Sequence, residues 1–513
     1  MQSYDILMVR TPERRSDRRK GYVASLPYFD AIDHTMLKFI DSILHHFRSC
    51  FSRSATYHWF VVIIVGFMLR SDHLGMTSII RDLSLNSRTY ESLLNFFRSH
   101  AWSLESLRLT WLRVVKKTAP LSYVNDRVVL IGDGMKQSKE ARRMPGVKKL
   151  HQESENSSKA EYIFGHLFGA IGILMGTPQK WFCLPLFMNL QDGVKTIFGW
   201  SDLSDRQESH VVQMIDQGFV AAKTFGKALL LLDRYFLSVP ALKRLNELNA
   251  SETTQMHIVT KAKSNAVAYE PPPATKKKGR GRPRKKGEVV KLKSLFQSRA
   301  ADFQKAQVTL YGKEETVQYL CLNLLWGQGQ YQELRFVLVR MGNRLSILVS
   351  TDLTLEATDI IHLYGHRFQI ECTFREMKQV IGGFGYQFWS KSMPKLKRYL
   401  KKEEPHPLEH VTNEKDKEKI RLTVKAIEGY VMCSCIAMGL LQLIAVRYSS
   451  RVPGFFFRYL RTSSKSIVSE ATVMVYLRKS IFRMFACNPH LSITKIIQAK
   501  QKLADNDEDL LAS

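Results

Sequence analysis

The chain has 513 residues, 45% hydrophobic and 24% charged, a globular balance that excludes a disordered, collagenous or fibrous protein. Its 76 Lys and Arg against 47 Asp and Glu leave a net charge of +29. Such an excess calls for a large polyanion as partner, nucleic acid before anionic membrane. The length allows roughly three or four structural units at 100 to 200 residues each.

Residues 1–30 read as a basic arm able to lie on phosphates, carrying Arg10, Arg14, Arg15, Arg18, Arg19 and Lys20. No apolar stretch follows these cations as a secretory signal would require, so the expected location is cytoplasmic. Residues 31–120 have a helical period. Within them Met76, Ile79, Ile80 and Leu83, a Ser-Leu-Asn-Ser break, and Tyr90, Leu93, Leu94, Phe96 and Phe97 outline two short helices. They form either a DNA-reading helix-turn-helix or part of a plain helical bundle. The apolar run Trp59 to Leu69 is too short for a bilayer, and Gly429 to Val446, with Ser434 and Gln442, suits a helix buried in protein, so no membrane partner is expected. Seven cysteines without paired spacing suggest reduced core residues.

Past Pro120 strands are expected at Val128 to Ile131, Tyr162 to Met175, Trp181 to Met188, Ala228 to Leu232 and His257 to Thr260, with a helix at Gln207 to Phe219. That order predicts an α/β protein with a mixed sheet of the ribonuclease H-like kind over 121–263, resumed over 351–450. Between the halves, 264–350 comprise a Lys/Arg/Pro/Gly linker and a β-rich insertion with strands at Val308 to Tyr311, Val317 to Trp326, Glu333 to Arg340 and Leu345 to Val349. Residues 451–513 are read as a helical region with an acidic tail.

Three carboxylates stand out. Asp133 follows the strand Val128 to Ile131 between Gly132 and Gly134, and Asp233 follows Leu229 to Leu232, so both are expected at strand ends, where sites form. Taken singly, each is more often a turn or cap residue. On one continuous helix, Tyr364, Arg367, Glu371 and Lys378 would fall within an arc of about 60°, with Leu363, Ile370, Phe374, Met377 and Ile381 on a separate stripe. In isolation, Arg367 and Glu371 read as a surface ion pair.

The run from Tyr364 to Lys378, Y-(2)-R-(3)-E-(6)-K without a gap, resembles the signature of DDE transposases from bacterial insertion sequences. Gly132-Asp133-Gly134 and Leu232-Asp233-Arg234-Tyr235-Phe236 are similar to that family's two aspartate regions, over about residues 120–450; Tyr235 departs where a small residue is expected. The resemblance implies a DNA transposase with Asp133, Asp233 and Glu371 as catalytic carboxylates holding two Mg²⁺ ions, with Mn²⁺ as a substitute. It implies that Arg367 and Lys378 hold DNA phosphates and that Tyr364 hydrogen-bonds one of them. The partners implied are double-stranded DNA, as element ends and target, and further copies of the chain, in a bacterial cytoplasm at the nucleoid.

Arg280-Gly-Arg282-Pro283, with Arg284, resembles an AT-hook for the A·T minor groove or is a solvated basic linker. Trp326 is a candidate for stacking on a base, although a strand Trp is more often buried. The alternatives to a transposase are an inactive protein that binds element ends and a metal-dependent nuclease of the same fold. No phosphate-binding loop and no H-E-x-x-H zinc motif occur.

Overall fold

The computed structural model describes residues 26–73, 75–152, 160–191, 193–200, 209–273, 284–397, 404, 406–453 and 466–505. Most of the basic arm and both Arg280 and Arg282 lie outside the described residues. Five helices come first: α1 (Leu26–His45), α2 (Ser54–Leu69), α3 (Thr77–Asp82), α4 (Thr89–Arg98) and α5 (Leu104–Thr118). Then follow β1 (Tyr123–Val124), β2 (Arg127–Ser138), β3 (Lys148–His151), β4 (Tyr162–Thr177), β5 (Lys180–Leu190), α6 (Lys195–Gly199), α7 (His210–Phe225), β6 (Lys227–Leu231), α8 (Val239–Ser251) and β7 (Gln255–Lys261). The insertion contributes β8 (Val267–Tyr269), β9 (Val289–Lys291), α9 (Leu295–Ser298), β10 (Gln304–Leu310), β11 (Lys313–Trp326), β12 (Gln332–Met341) and β13 (Arg344–Ser350). The chain closes with α10 (Ala357–Gly365), α11 (Gln369–Gln379), α12 (Glu414–Arg447), α13 (Glu470–Cys487) and α14 (Ser492–Asp505).

The half built from residues 121–263 is a mixed sheet. β5, β4 and β2 are antiparallel neighbours, and β2, β6 and β7 run parallel, the arrangement expected of a ribonuclease H-like core. Ala228 to Leu232 are buried completely, because a parallel strand covered on both faces must be apolar throughout. β13 pairs antiparallel with β7, and β12 and β11 follow. The insertion therefore extends the core sheet, while Phe296, Leu324, Leu334, Phe336 and Ile347 form a second, smaller core.

α12 holds the rest together. Asn413 caps its start by accepting from the Lys415 N–H at 2.9 Å, and Glu414 and Asp416 in the first turn and Arg447 in the last suit the helix dipole. It is long and apolar enough to cross a membrane, yet its apolar span is buried inside the protein, against α2, α4, α5, α13 and β5. α13 and α14 return to pack on α2. The N- and C-terminal helical regions, separate in the sequence, are thus one layer around α12. Burying each large aliphatic side chain there contributes about 1.5 to 3 kcal/mol before entropy is counted. α3 and α4 are the two short helices expected around the break, with Ile79, Leu83, Leu93, Phe96 and Phe97 buried. Of the seven cysteines, Cys50, Cys183, Cys433 and Cys435 are buried and Cys487 is exposed, so the core reading fails for the last.

Candidate active site

The two aspartates are set side by side by strand register. β2 and β6 pair in parallel from Val128 with Ala228 to Ile131 with Leu231, a constant offset that, carried two residues on, brings Asp133 level with Asp233. Asp233 begins a short 3-10 turn directly after β6. Its carbonyl accepts from Thr260 Oγ1 at 3.0 Å and from the Phe236 N–H at 3.0 Å, which ties its main chain to β7. Tyr235, too large for the turn the sequence suggested, is accommodated by pointing outward, 54% exposed, with its ring against His210 and Phe236.

Asp133 corrects the strand-end reading. It lies inside β2, which runs on to Ser138 because β4 pairs antiparallel with it past the point where β6 stops. The flanking glycines have a packing cause. A Cβ on Gly132 would stand 2.8 Å from Leu232 Cδ2 and 3.0 Å from Met214 Sδ, and one on Gly134 would stand 3.1 Å from His210 Nε2. α7 thus presses on one face of β2, and strand alternation turns Asp133 to the other. His210, although beside Gly134 and with its ring against Tyr235, is on the wrong face to touch that carboxylate.

The opposite face receives the signature segment, whose predicted continuous helix is also corrected. α10 stops at Gly365 and α11 starts at Gln369, with 3-10-type bonds from His366 N to Leu363 O, Arg367 N to Tyr364 O and Gln369 N to His366 O. The insertion is the neighbour at the break: Leu310 packs where a Gly365 Cβ would be, and the Tyr311 ring lies 5.2 Å from that of Phe368. The apolar stripe holds, with Leu363, Ile370, Phe374, Met377 and Ile381 buried.

Arg367 joins the carboxylates. Its Nη2 donates to Asp133 Oδ2 at 2.9 Å and its Nη1 to Glu371 Oε1. The guanidinium is 13% exposed, so as placed it serves carboxylates rather than an approaching phosphate. The Gly134 N–H donates to Asp133 Oδ1 at 2.8 Å. Burial nevertheless pushes the Asp133 carboxyl up to about 6, with Asp233 and Glu371 adding to the rise while Arg367 and the Gly134 N–H oppose it. Glu371 is exposed, as is Lys378, whose Nζ points at the Lys136 carbonyl from 3.5 Å. Tyr364 is half-buried, and burial raises its phenol so that it stays protonated.

Among the described residues no group of three or more His, Cys, Asp or Glu side chains converges closely enough to hold a metal ion as placed. The donor set fits one in chemistry: hard carboxylate oxygens suit Mg²⁺, and Arg367 is the cation that bridges Asp133 and Glu371, leaving charge that a divalent cation would balance. Trp326 ends β11 half-buried against the second core, and Arg284 is exposed. Glu376 is buried and paired with Arg375 Nε at 3.0 Å. Tyr311, at a hairpin tip beside Phe368, was not singled out from sequence; the Tyr-Gly turn between two alternating strands marked a hairpin but not where it points.

Residues 198–384 match the family model described as Transposase DDE domain. The match supports a DDE transposase and takes in Asp233, Arg367, Glu371 and Lys378, while Asp133 lies ahead of it. No curated protein and no solved structure matches the chain.

Proposed function

We propose that the protein is a transposase that binds the ends of its insertion sequence, cleaves them by metal-dependent phosphodiester hydrolysis and joins the freed 3′-hydroxyls to target DNA. The observation that carries this reading is the parallel register that sets Asp133 level with Asp233, together with the Arg367 bridge that links Asp133 to Glu371. Asp133, Asp233 and Glu371 would hold divalent ions, Mg²⁺ in the cell with Mn²⁺ as a substitute, and these would supply activation of an oxygen nucleophile and stabilisation of the leaving oxygen.

The chain's own side chains supply position and protons. Arg367 keeps the buried Asp133 ionised against the pull of burial and ties the exposed Glu371 to it. Lys378, exposed beside β2, holds a DNA phosphate, and the protonated Tyr364 donates to another. Cations of this kind fix the backbone without reading bases. Two element ends must be held together for joining, so the working form is an oligomer on DNA.

The test is Mg²⁺-dependent cleavage of labelled DNA carrying the gene's own flanks. Wild type is expected to nick at the element boundary, and Asp133→Asn, Asp233→Asn and Glu371→Gln to bind the same DNA without cutting. Binding without cleavage by wild type would replace this reading with an inactive end-binding protein, and cleavage without joining would replace it with a nuclease.

A further inference from the structure

After α11 the chain runs over residues 384–396 along the outside of the loop that follows β2, and it is held there firmly. Lys139 Nζ donates to the carbonyls of Phe384 at 2.8 Å and Tyr386 at 2.7 Å. Arg143 Nη1 donates to those of Lys391 and Met393, both at 2.9 Å, and the Ser390 and Leu396 N–H groups donate to the Arg143 and Arg142 carbonyls.

Within this segment burial alternates. Tyr386, Phe388 and Ser390 are buried while Gln387, Trp389 and Lys391 are exposed. Two inward rings fix the register, Phe388 lying 5.3 Å from Phe97 and Tyr386 lying 5.8 Å from Tyr430. With its neighbours pointing in, Trp389 must point out, and it is 47% exposed.

Its indole stands on the lip of two depressions. One, of about 540 Å³, is bordered by Arg98, Lys391 and Lys419; the other, of about 450 Å³, by Arg142, Arg143 and Lys395. Among the described residues no Asp or Glu lines either. The nearby Asp416 accepts from Ser392 Oγ at 2.6 Å. Lys136, Lys139 and Arg142 follow Asp133 along the chain, and β2 ends roughly 17 Å beyond that carboxylate at about 3.3 Å per residue.

We propose that Trp389 and the cations around it form a docking surface for DNA with unpaired bases, the indole stacking on a base while Arg142, Lys395 and Lys391 hold the adjoining phosphates. An exposed ring among cations that line the same depressions has the two features that single-stranded nucleic acid requires, a π-face and an electrostatic groove. A second copy of this chain is disfavoured as occupant, because a two-fold contact through the same patch would oppose like charges. This surface rests on the reading that DNA is the substrate and adds where unpaired strand is held.

The test is equilibrium binding of the full-length protein, without divalent ions, to a labelled oligothymidylate and to a blunt duplex of equal length. Trp389→Ala is expected to weaken single-strand binding about ten-fold or more and duplex binding by less than about two-fold, with an unchanged melting temperature; Trp389→Phe is expected to retain most of the affinity. The pair Arg142→Gln with Lys395→Gln should lower the salt slope by roughly one to two. Unchanged single-strand affinity in Trp389→Ala, or an equal loss on both DNAs, would overturn the stacking role. A changed oligomeric state of Trp389→Ala without DNA would overturn it in favour of a protein contact. If wild type bound neither DNA, the transposase reading itself would fall, an outcome distinct from the others.

Discussion

Arg367 reaches Asp133 across a sequence separation of 234 residues and Glu371 across one helical turn, giving one terminal nitrogen to each carboxylate. One positive charge therefore answers Asp133, Glu371 and the neighbouring Asp233, and the balance stays negative. Burial with this crowding pushes the Asp133 carboxyl from 3.8 to about 6. A carboxyl raised on folding stabilises the folded state fully below its unfolded value, near pH 3.8, and that contribution is lost as pH rises through about 6. At neutral pH without divalent ions the ionised Asp133 thus costs stability. Asp133→Asn is expected to raise unfolding stability by roughly 1 to 3 kcal/mol at pH 8 and by almost nothing below pH 4, measured by thermal unfolding in chelator. Equal stability of variant and wild type at pH 8 would contradict the assignment.

Arg367 itself should behave in the opposite sense. Arg367→Ala leaves a buried carboxylate without its cation, and breaking such a pair from one side costs about 3 kcal/mol or more. The loss should shrink at pH 5, where Asp133 can take up a proton instead of remaining charged. Arg367→Lys keeps the charge but not the fork, so it can serve only one of the two carboxylates, and its stability should fall between wild type and Arg367→Ala. Denaturant unfolding at the two pH values separates these outcomes.

What the sequence made legible is what lies in short-range pattern. The runs at Val128 to Ile131 and Ala228 to Leu232 announce buried strands, and the spacing from Tyr364 to Lys378 announces the site segment. The break at His366 to Phe368 was hidden because its neighbours, Leu310 and Tyr311, lie more than fifty residues away in the insertion. The length of β2 was hidden for a similar reason: Met135 to Ser138 are strand by virtue of pairing with β4, not by their own apolarity. Ser434 and Gln442 marked Gly429 to Val446 as suited to a helix buried in protein, and in the structure α12 is covered by α2, α4, α5, α13 and β5.

Gly132 offers a test of the close packing behind the aspartates. An added Cβ would stand 2.8 Å from Leu232 Cδ2 and 3.0 Å from Met214 Sδ, so Gly132→Ala is expected to cost about 1 to 3 kcal/mol by overpacking. Because Leu232 immediately precedes Asp233, cleavage should fall further than stability explains. Comparing Gly132→Ala with the double variant Gly132→Ala, Met214→Ala checks this: the second change opens space and should return part of the activity even though it removes buried sulfur. Activity unaltered in Gly132→Ala would show that the two strands tolerate displacement.

The segment that carries Trp389 is anchored in part by a histidine whose burial disfavours protonation. His166 is fully buried, with Nδ1 2.7 Å from the Tyr386 hydroxyl and Nε2 2.9 Å from the Pro145 carbonyl. Burial lowers its pKa from 6.5 to about 3, with the nearby Lys139 adding to the fall and the Pro145 carbonyl opposing it. For a base depressed in this way the unfolded chain binds the proton first, so stability present above pH 6.5 is lost as pH falls toward about 3. Between pH 8 and pH 5 this one residue should remove roughly 2 kcal/mol. His166→Gln, which keeps a donor and an acceptor, is expected to be less stable at pH 8 but to lose less on acidification, so the two stability curves converge as pH falls. Parallel curves would show that another group governs the acid limb, and a hydrogen-exchange comparison at Tyr386 and Phe388 would then show whether the Trp389 segment loosens with it.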